Sequence, residues 1–244
     1  MVLPALPRAA AGLAVRWAMI KLGRYQDVLA GETFDALICD PPYSERTHRG
    51  HAAGVGMSDR LRTNLSYEAW SEPEILELVK WGHERCRGWI ALLLDHVEAR
   101  WAEEALERTG RYVFAPLPFV ETGRSVRLCG DGPSSWASWL VVARPRTPPY
   151  STWGTLPGAY IQRGRGGERH IGGKPLGLMR AIVRDYTRPD DFVCDPCAGL
   201  GTTLIAARAE GRRGIGAECD PETYGVAVRM WGRPWQPTFA EVTS

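Results

Sequence analysis

An unbroken apolar run between turn signals, FDALICD at 34–40, reads as a strand buried on both faces, the kind found inside a parallel sheet. Similar runs recur at WAMIKL (17–22), GWIALLLD (88–95), SSWASWLVVARP (134–145), DFVCD (191–195) and GIGAE (214–218). YVFAPLPFV (112–120) is strand-like, with Pro116 and Pro118 distorting it. Between the runs stand helical patterns. SEPEILELVKWGHERC (71–86) opens with Ser71 and Glu74 spaced as a capping box. VEARWAEEALERTG (97–110) is closed by Gly110, and PLGLMRAIVRDYT, TTLIAARAEG and PETYGVAVRMW follow towards the C-terminus. Such alternation predicts an α/β fold: a mostly parallel sheet with helices on both faces and its ligand at the carboxyl ends of the strands, where strand order reverses.

At 244 residues the chain suits one large domain, spanning 1–244, with inserted loops at 44–66 and 146–170. Net charge is only +2, but basic residues cluster. Residues 1–24 carry Arg8, Arg16, Lys21 and Arg24 without an acid, and residues 160–188 carry seven basic side chains against Glu168 and Asp185. Either stretch could follow a phosphate backbone or simply form a solvated face. The first 22 residues, broken by Pro4, Pro7, Arg8 and Arg16, make a poor signal peptide, and no run could span a bilayer; a cytoplasmic protein with no membrane association is expected. Six irregularly spaced cysteines suit free thiols in a reducing compartment. Cys194-x-x-Cys197 lacks a second ligand pair, and no metal site is expected.

Two strands end in Cys-Asp-Pro, and this pairing is the main functional clue. One leads into Asp40-Pro41-Pro42-Tyr43, the other into Asp195-Pro196-Cys197-Ala198-Gly199-Leu200-Gly201-Thr202-Thr203. Glycines 199 and 201 allow a ligand to approach the backbone at a helix N-terminus. Glu218 ends the next strand 23 residues after Asp195, where nucleotide-binding sheets hold a ribose-binding acid. Gly201 is followed by two threonines and no lysine, unlike a P-loop, and Leu204 stands where a dinucleotide fingerprint needs its third glycine. An adenosine ligand without a pyrophosphate fits better.

DPPY at 40–43 resembles the catalytic motif of amino-group DNA methyltransferases, and DPCAGLGTT at 195–203 resembles their S-adenosylmethionine motif, with Cys197 in place of the usual Phe. HIGGKPLGLM at 170–179 is similar to the segment preceding the cofactor motif in the permuted, beta class, with Lys174-Pro175 retained and Gly173 replacing Gln. The resemblance implies a Rossmann-like S-adenosylmethionine-dependent methyltransferase fold in circularly permuted order, and a site-specific DNA adenine enzyme of phage or prophage type. In that order the helix at 221–231 is followed by no further strand, so WAMIKL is expected to complete the sheet beside GIGAE.

The resemblance also assigns roles. Asp40, Pro41, Pro42 and Tyr43 are the catalytic turn; Asp195 to Gly199, Gly201 to Thr203, Glu218, Cys219, Lys174 and Pro175 face the cofactor. An exocyclic amine is a poor nucleophile because its lone pair is delocalised, and acceptors on Asp40 and Pro41 can favour the geometry in which it attacks. Tyr43 would stack on a base flipped from double-stranded DNA. Arg46, His48, Arg49, Arg163, Arg165 and Arg169 are candidate DNA contacts. Arg146 to Glu168, 23 residues, is short for an independent recognition domain, so specificity is expected to be relaxed or completed by a homodimer. Arg24 stands where relatives place an adenine-contacting acid, which leaves Asp27 or apolar contacts for that task. Pro196-Cys197 resembles a cytosine-C5 nucleophile but lies inside the glycine turn. N4 of cytosine, and a silent DNA-binding module of the same fold, remain alternatives.

Overall fold

A computed structural model of the chain describes residues 18–52, 67–122, 133, 136–146, 153–162 and 174–231. The strands are β1 (Ala18–Leu22), β2 (Ala36–Cys39), β3 (Ile90–Leu94), β4 (Tyr112–Val113), β5 (Leu117–Glu121), β6 (Ala137–Arg144), β7 (Tyr160–Gln162), β8 (Phe192–Asp195) and β9 (Arg213–Glu218). The helices are α1 (Tyr25–Val28), α2 (Glu45–Ala52), α3 (Glu72–Arg85), α4 (His96–Arg108), α5 (Leu176–Tyr186), α6 (Thr202–Ala209) and α7 (Pro221–Trp231).

One sheet runs β1-β9-β8-β2-β3-β6-β5-β7, with β4 also paired to β6. Its left half is wholly parallel, and β6 is antiparallel to β3, β4 and β5. The N-terminal strand lies beside β9, as the motif order requires, with Ala18 to Leu22 opposite Gly214 to Glu218. Burial on both faces explains the apolar runs. Leu37, Cys39, Ile90, Leu92 and Leu94 pack with α3 and α4, while Ile38, Ala91 and Leu93 pack with α5 and α6 on the opposite face. The α3 capping box forms between Ser71 and Glu74.

Three local expectations are corrected. The run at 112–120 is two strands, broken over 114–116 where Pro116 offers no amide, while Pro118 sits within β5 opposite Trp139 as Leu117 to Val120 pair with Leu140 to Ala137. The segment 146–170 contains β7, parallel to β5, where a loop was expected. The segment 44–66 begins with helix α2 rather than a loop, its residues too polar to show an apolar period.

The strand order reverses between β8 and β2. From β8 the chain crosses through α6 to β9 on one side, and from β2 through α3 to β3 on the other. Leu37 pairs with Cys194 across this junction, so the two Cys-Asp-Pro ends emerge side by side.

Candidate active site

The glycine turn after β8 is built by backbone geometry. Gly199 and Gly201 have φ of 53° and 82°, the left-handed region that side chains disfavour. The Ala198 amide donates to the Ala217 carbonyl at 2.8 Å, and the Gly199 amide donates to Glu218 Oε2 at 2.9 Å. Glu218 Oε1 accepts from the Asp220 amide at 2.7 Å, which fixes the carboxylate at the end of β9. Beneath the turn Gly216 has no spare room: a Cβ there would lie 2.8 Å from the Asp195 carbonyl and 2.9 Å from Ala198. At Gly199 a Cβ would meet nothing within 4 Å, so the turn opens onto free space. A bulky nucleoside can lie against such a turn, and the residues present fit that group.

Asp195 is buried, accepts from the Cys197 amide at 3.2 Å and bonds the side chains of Thr203 and Cys39. Burial raises its pKa to about 7 against the opposing pull of these bonds, and the neighbouring Asp40 charge adds to the rise. The Cys197 thiol shares a hydrogen bond with Cys39 that pulls its pKa down, but burial and the surrounding acids leave it raised. A thiol kept protonated is the reverse of an activated nucleophile, which argues against C5 chemistry. Pro196, Ala198 and Gly201 are buried in the turn, Thr202 begins α6, and Cys219 is exposed beyond Glu218.

Across the junction, Asp40 follows β2. Its Oδ1 accepts from Lys174 Nζ at 2.7 Å, and the same ammonium donates to the Tyr43 hydroxyl at 2.5 Å. Ser138 on β6 meets that hydroxyl at 3.1 Å. Lys174 reaches Asp40 across 134 residues of sequence, its side chain 8% exposed and that of Asp40 24%. Burial alone would lower the Lys174 pKa, but Asp40 and Tyr43 outweigh it and hold the ammonium charged. Burial together with Asp40 pushes the Tyr43 phenol up to about 12. The same ammonium lies 4.6 Å from the centroid of the Tyr43 ring while donating to its hydroxyl. Pro41 is buried and Pro42 half-buried. Pro175 follows Lys174 as the cap of α5, so that helix aims the lysine at the junction.

Of the proposed DNA contacts, Arg46 is exposed on α2 and Arg49 is exposed and paired to Glu45 at 2.5 Å. His48 is half-buried edge-on to Tyr67, the ring centroids 5.1 Å apart. Arg163, Arg165 and Arg169 lie outside the described residues. Arg24 caps the start of α1 after β1. Sequence reasoning missed Asp95, Glu98, Ser138 and Tyr67. Glu98 is fully buried, its pKa raised to about 9 by burial and by Asp95, and Tyr67 is pushed up to about 12 by burial and the Asp40 charge. A visible signal existed for Asp95, which ends a third apolar strand as Asp40 and Asp195 end theirs.

The open sheet, with a glycine turn at its switch point and the DPPY turn on the adjacent strand, has the fold of solved DNA methyltransferases. The solved M1.HpyAVI–SAM complex matches it with a TM-score of 0.61 at 18% identity, over 87% of this chain and 98% of that one. The PvuII DNA methyltransferase, cytosine-N4-specific, matches with a TM-score of 0.64 at 14% identity, over 93% and 90%. A family model described as DNA methylase, of the N6/N4 methyltransferases, covers residues 131–229.

Among curated relatives, the type II methyltransferase M.HindIII of Haemophilus influenzae is 41% identical over 63 residues, which is 26% of this chain and 20% of that protein. The Escherichia coli protein YubD is 26% identical over 203 residues, 80% of each. The Escherichia coli DNA adenine methyltransferase YhdJ is 39% identical over 62 residues, 25% of this chain and 21% of that protein. The matches to M.HindIII and YhdJ thus span about a fifth of those proteins. Residues 131–229 of this chain are thus similar to the N6/N4 DNA methylases.

Proposed function

We propose that the chain transfers a methyl group from S-adenosylmethionine to the exocyclic N6 of an adenine flipped out of duplex DNA, as a permuted, beta-class enzyme. The observation carrying this reading is the juxtaposition of Asp40 and the Asp195 glycine turn on adjacent parallel strand ends. When bound against that turn, S-adenosylmethionine supplies an electrophilic methyl carbon on a sulfonium. The protein's task is to hold and orient the amine. Lys174 occupies Asp40 Oδ1, so the second carboxylate oxygen is the one offered to an amine N–H, with the Pro41 carbonyl for the other. The two prolines preorganise these acceptors, and Tyr43, pinned through its hydroxyl, presents a ring face to the base. Asp195, Gly199 and Glu218 hold the cofactor, and Arg46 and Arg49 on α2 contact DNA phosphates. Relaxed specificity, or a second subunit completing the DNA surface, belongs to the same reading.

The test is nucleoside mass spectrometry of unmethylated duplex DNA incubated with protein and S-adenosylmethionine. N6-methyladenine is the expected product. N4-methylcytosine would keep the acceptors and overturn the base, and cofactor binding without any methylated nucleoside would favour a silent DNA-binding module.

Cofactor affinity should also depend on pH. Asp195 titrates near 7 in the free protein, above its ordinary value, and a cationic ligand binds better to its ionised form. The dissociation constant is expected to fall up to about tenfold per pH unit as pH rises towards 7, then level off. Calorimetric titration between pH 5.5 and 8.5 reads this directly, and a flat profile would remove Asp195 from the cofactor site.

A further inference from the structure

The turn carrying Asp40 to Tyr43 is anchored from outside the reacting groups. Asp95 caps α4 with Oδ1, which accepts from the amides of Val97 at 2.9 Å and Glu98 at 3.0 Å. Its Oδ2 points to a different element. That oxygen accepts from the Ser44 amide at 3.1 Å, from the Ser44 hydroxyl and from the Thr47 hydroxyl at 2.6 Å. Ser44 directly follows Tyr43, and Ser44 and Asp95 are both buried. A helix cap needs one oxygen, whereas here the other is saturated by donors from the end of the catalytic turn and the start of α2. The side chains bonded to this carboxylate are those of Ser44, just before α2, and Thr47 on α2, while the Glu98 carboxyl accepts from the Asp95 backbone amide. Burial works against the charge, but the bonds from Ser44 and Thr47 hold the Asp95 pKa below the ordinary carboxylate range.

We infer that Asp95 is a positioning residue for methyl transfer: through Ser44 and Thr47 it sets where Asp40, Pro41 and Tyr43 stand relative to the cofactor turn. The inference rests on the methyl-transfer reading. Asp95 touches no reacting atom, and its effect passes through the turn it holds. Charge-assisted bonds to a buried acceptor suit this task, because a turn free to shift would lose the alignment that an in-line transfer needs.

Asp95→Asn separates the two uses of the carboxylate. Asparagine caps helices as well as aspartate, so its amide oxygen can keep Val97 and Glu98, while its NH₂ cannot accept from Ser44 or Thr47. The expected result is a kcat lower by on the order of 10- to 100-fold with an unchanged KM for S-adenosylmethionine and an unchanged circular dichroism spectrum. Amide hydrogen exchange at Ser44 should quicken. Ser44→Ala with Thr47→Val removes the two hydroxyl donors and leaves only the Ser44 amide on Oδ2, so kcat should fall in the same direction, and combining these changes with Asp95→Asn should lose no more than Asp95→Asn alone.

A wild-type kcat in Asp95→Asn, or a loss matching only the unfolded fraction, would overturn the inference, as would a raised cofactor KM with intact kcat. Should the wild-type protein methylate no nucleic acid, the functional reading falls, and exchange at Ser44 then decides alone. Quickened exchange in Asp95→Asn retains the anchor, and unchanged exchange overturns it.

Discussion

Replacing Asp40 by alanine is expected to lower methyl transfer by on the order of 10²–10³-fold while cofactor binding persists. Asp40 emerges from β2 next to the glycine turn on β8, and on the proposed methyl-transfer reading the exocyclic amine becomes nucleophilic only when its N–H bonds are accepted in a geometry that frees the lone pair. Alanine removes one of the two acceptors and leaves the Pro41 carbonyl alone. It also leaves the buried Lys174 ammonium without its carboxylate, so some loss of thermal stability accompanies the loss of rate. Single-turnover kinetics at saturating cofactor, with the melting temperature measured alongside, separates the two effects. Transfer within a fewfold of wild type would remove Asp40 from the chemistry.

Lys174→Met carries the second large effect. The methionine fills much of the same volume but offers neither charge nor donor, so Asp40 Oδ1 and the Tyr43 hydroxyl both lose their partner at once. Removing one member of a buried ion pair is costly because the other charge remains buried. With Asp40 about a quarter exposed, solvent screens part of that cost, and a destabilisation of about 1–3 kcal/mol is expected. The rate should fall further than stability, by on the order of a hundredfold, because both the carboxylate and the aromatic ring lose the contact that orients them. Ser138 still holds the Tyr43 hydroxyl, so the ring loses only part of its restraint. Lys174→Arg keeps the charge but replaces a point donor by a planar fork, and partial recovery is the expected outcome. Denaturant unfolding and kcat on the same preparations decide the matter, and a variant with a wild-type rate would reduce Lys174 to a structural cation.

Much of the fold is legible from local pattern. FDALICD, IALLLD and DFVCD are strands because their neighbours cover both faces, and burial on both faces erases the polar alternation of a half-exposed strand. The capping box at Ser71 forms as its spacing predicts. The N-terminal strand beside β9 follows from motif order alone. Helix α2 was illegible for a definite reason: ERTHRGHA has no apolar stripe, and its first turn is tied by Ser44 and Thr47 to Asp95, about fifty residues away. Strand β7 is three residues long in a glycine- and proline-rich stretch, and only pairing with β5 makes it a strand.

By itself the sequence determined most of the alternating strands and helices, the doubly covered sheet and the two acid-ended strands that meet where strand order reverses. These depend on burial periodicity and on turn residues, both of which are local properties of the chain. Only the tertiary structure decided that Lys174 lies on Asp40 and Tyr43, that Ser138 holds the same hydroxyl, and that Asp95 grips the turn from the neighbouring strand. Those contacts join polar side chains 51 to 134 residues apart. A polar side chain's partner is set by where the sheet brings strand ends together, and no periodicity in the chain records that.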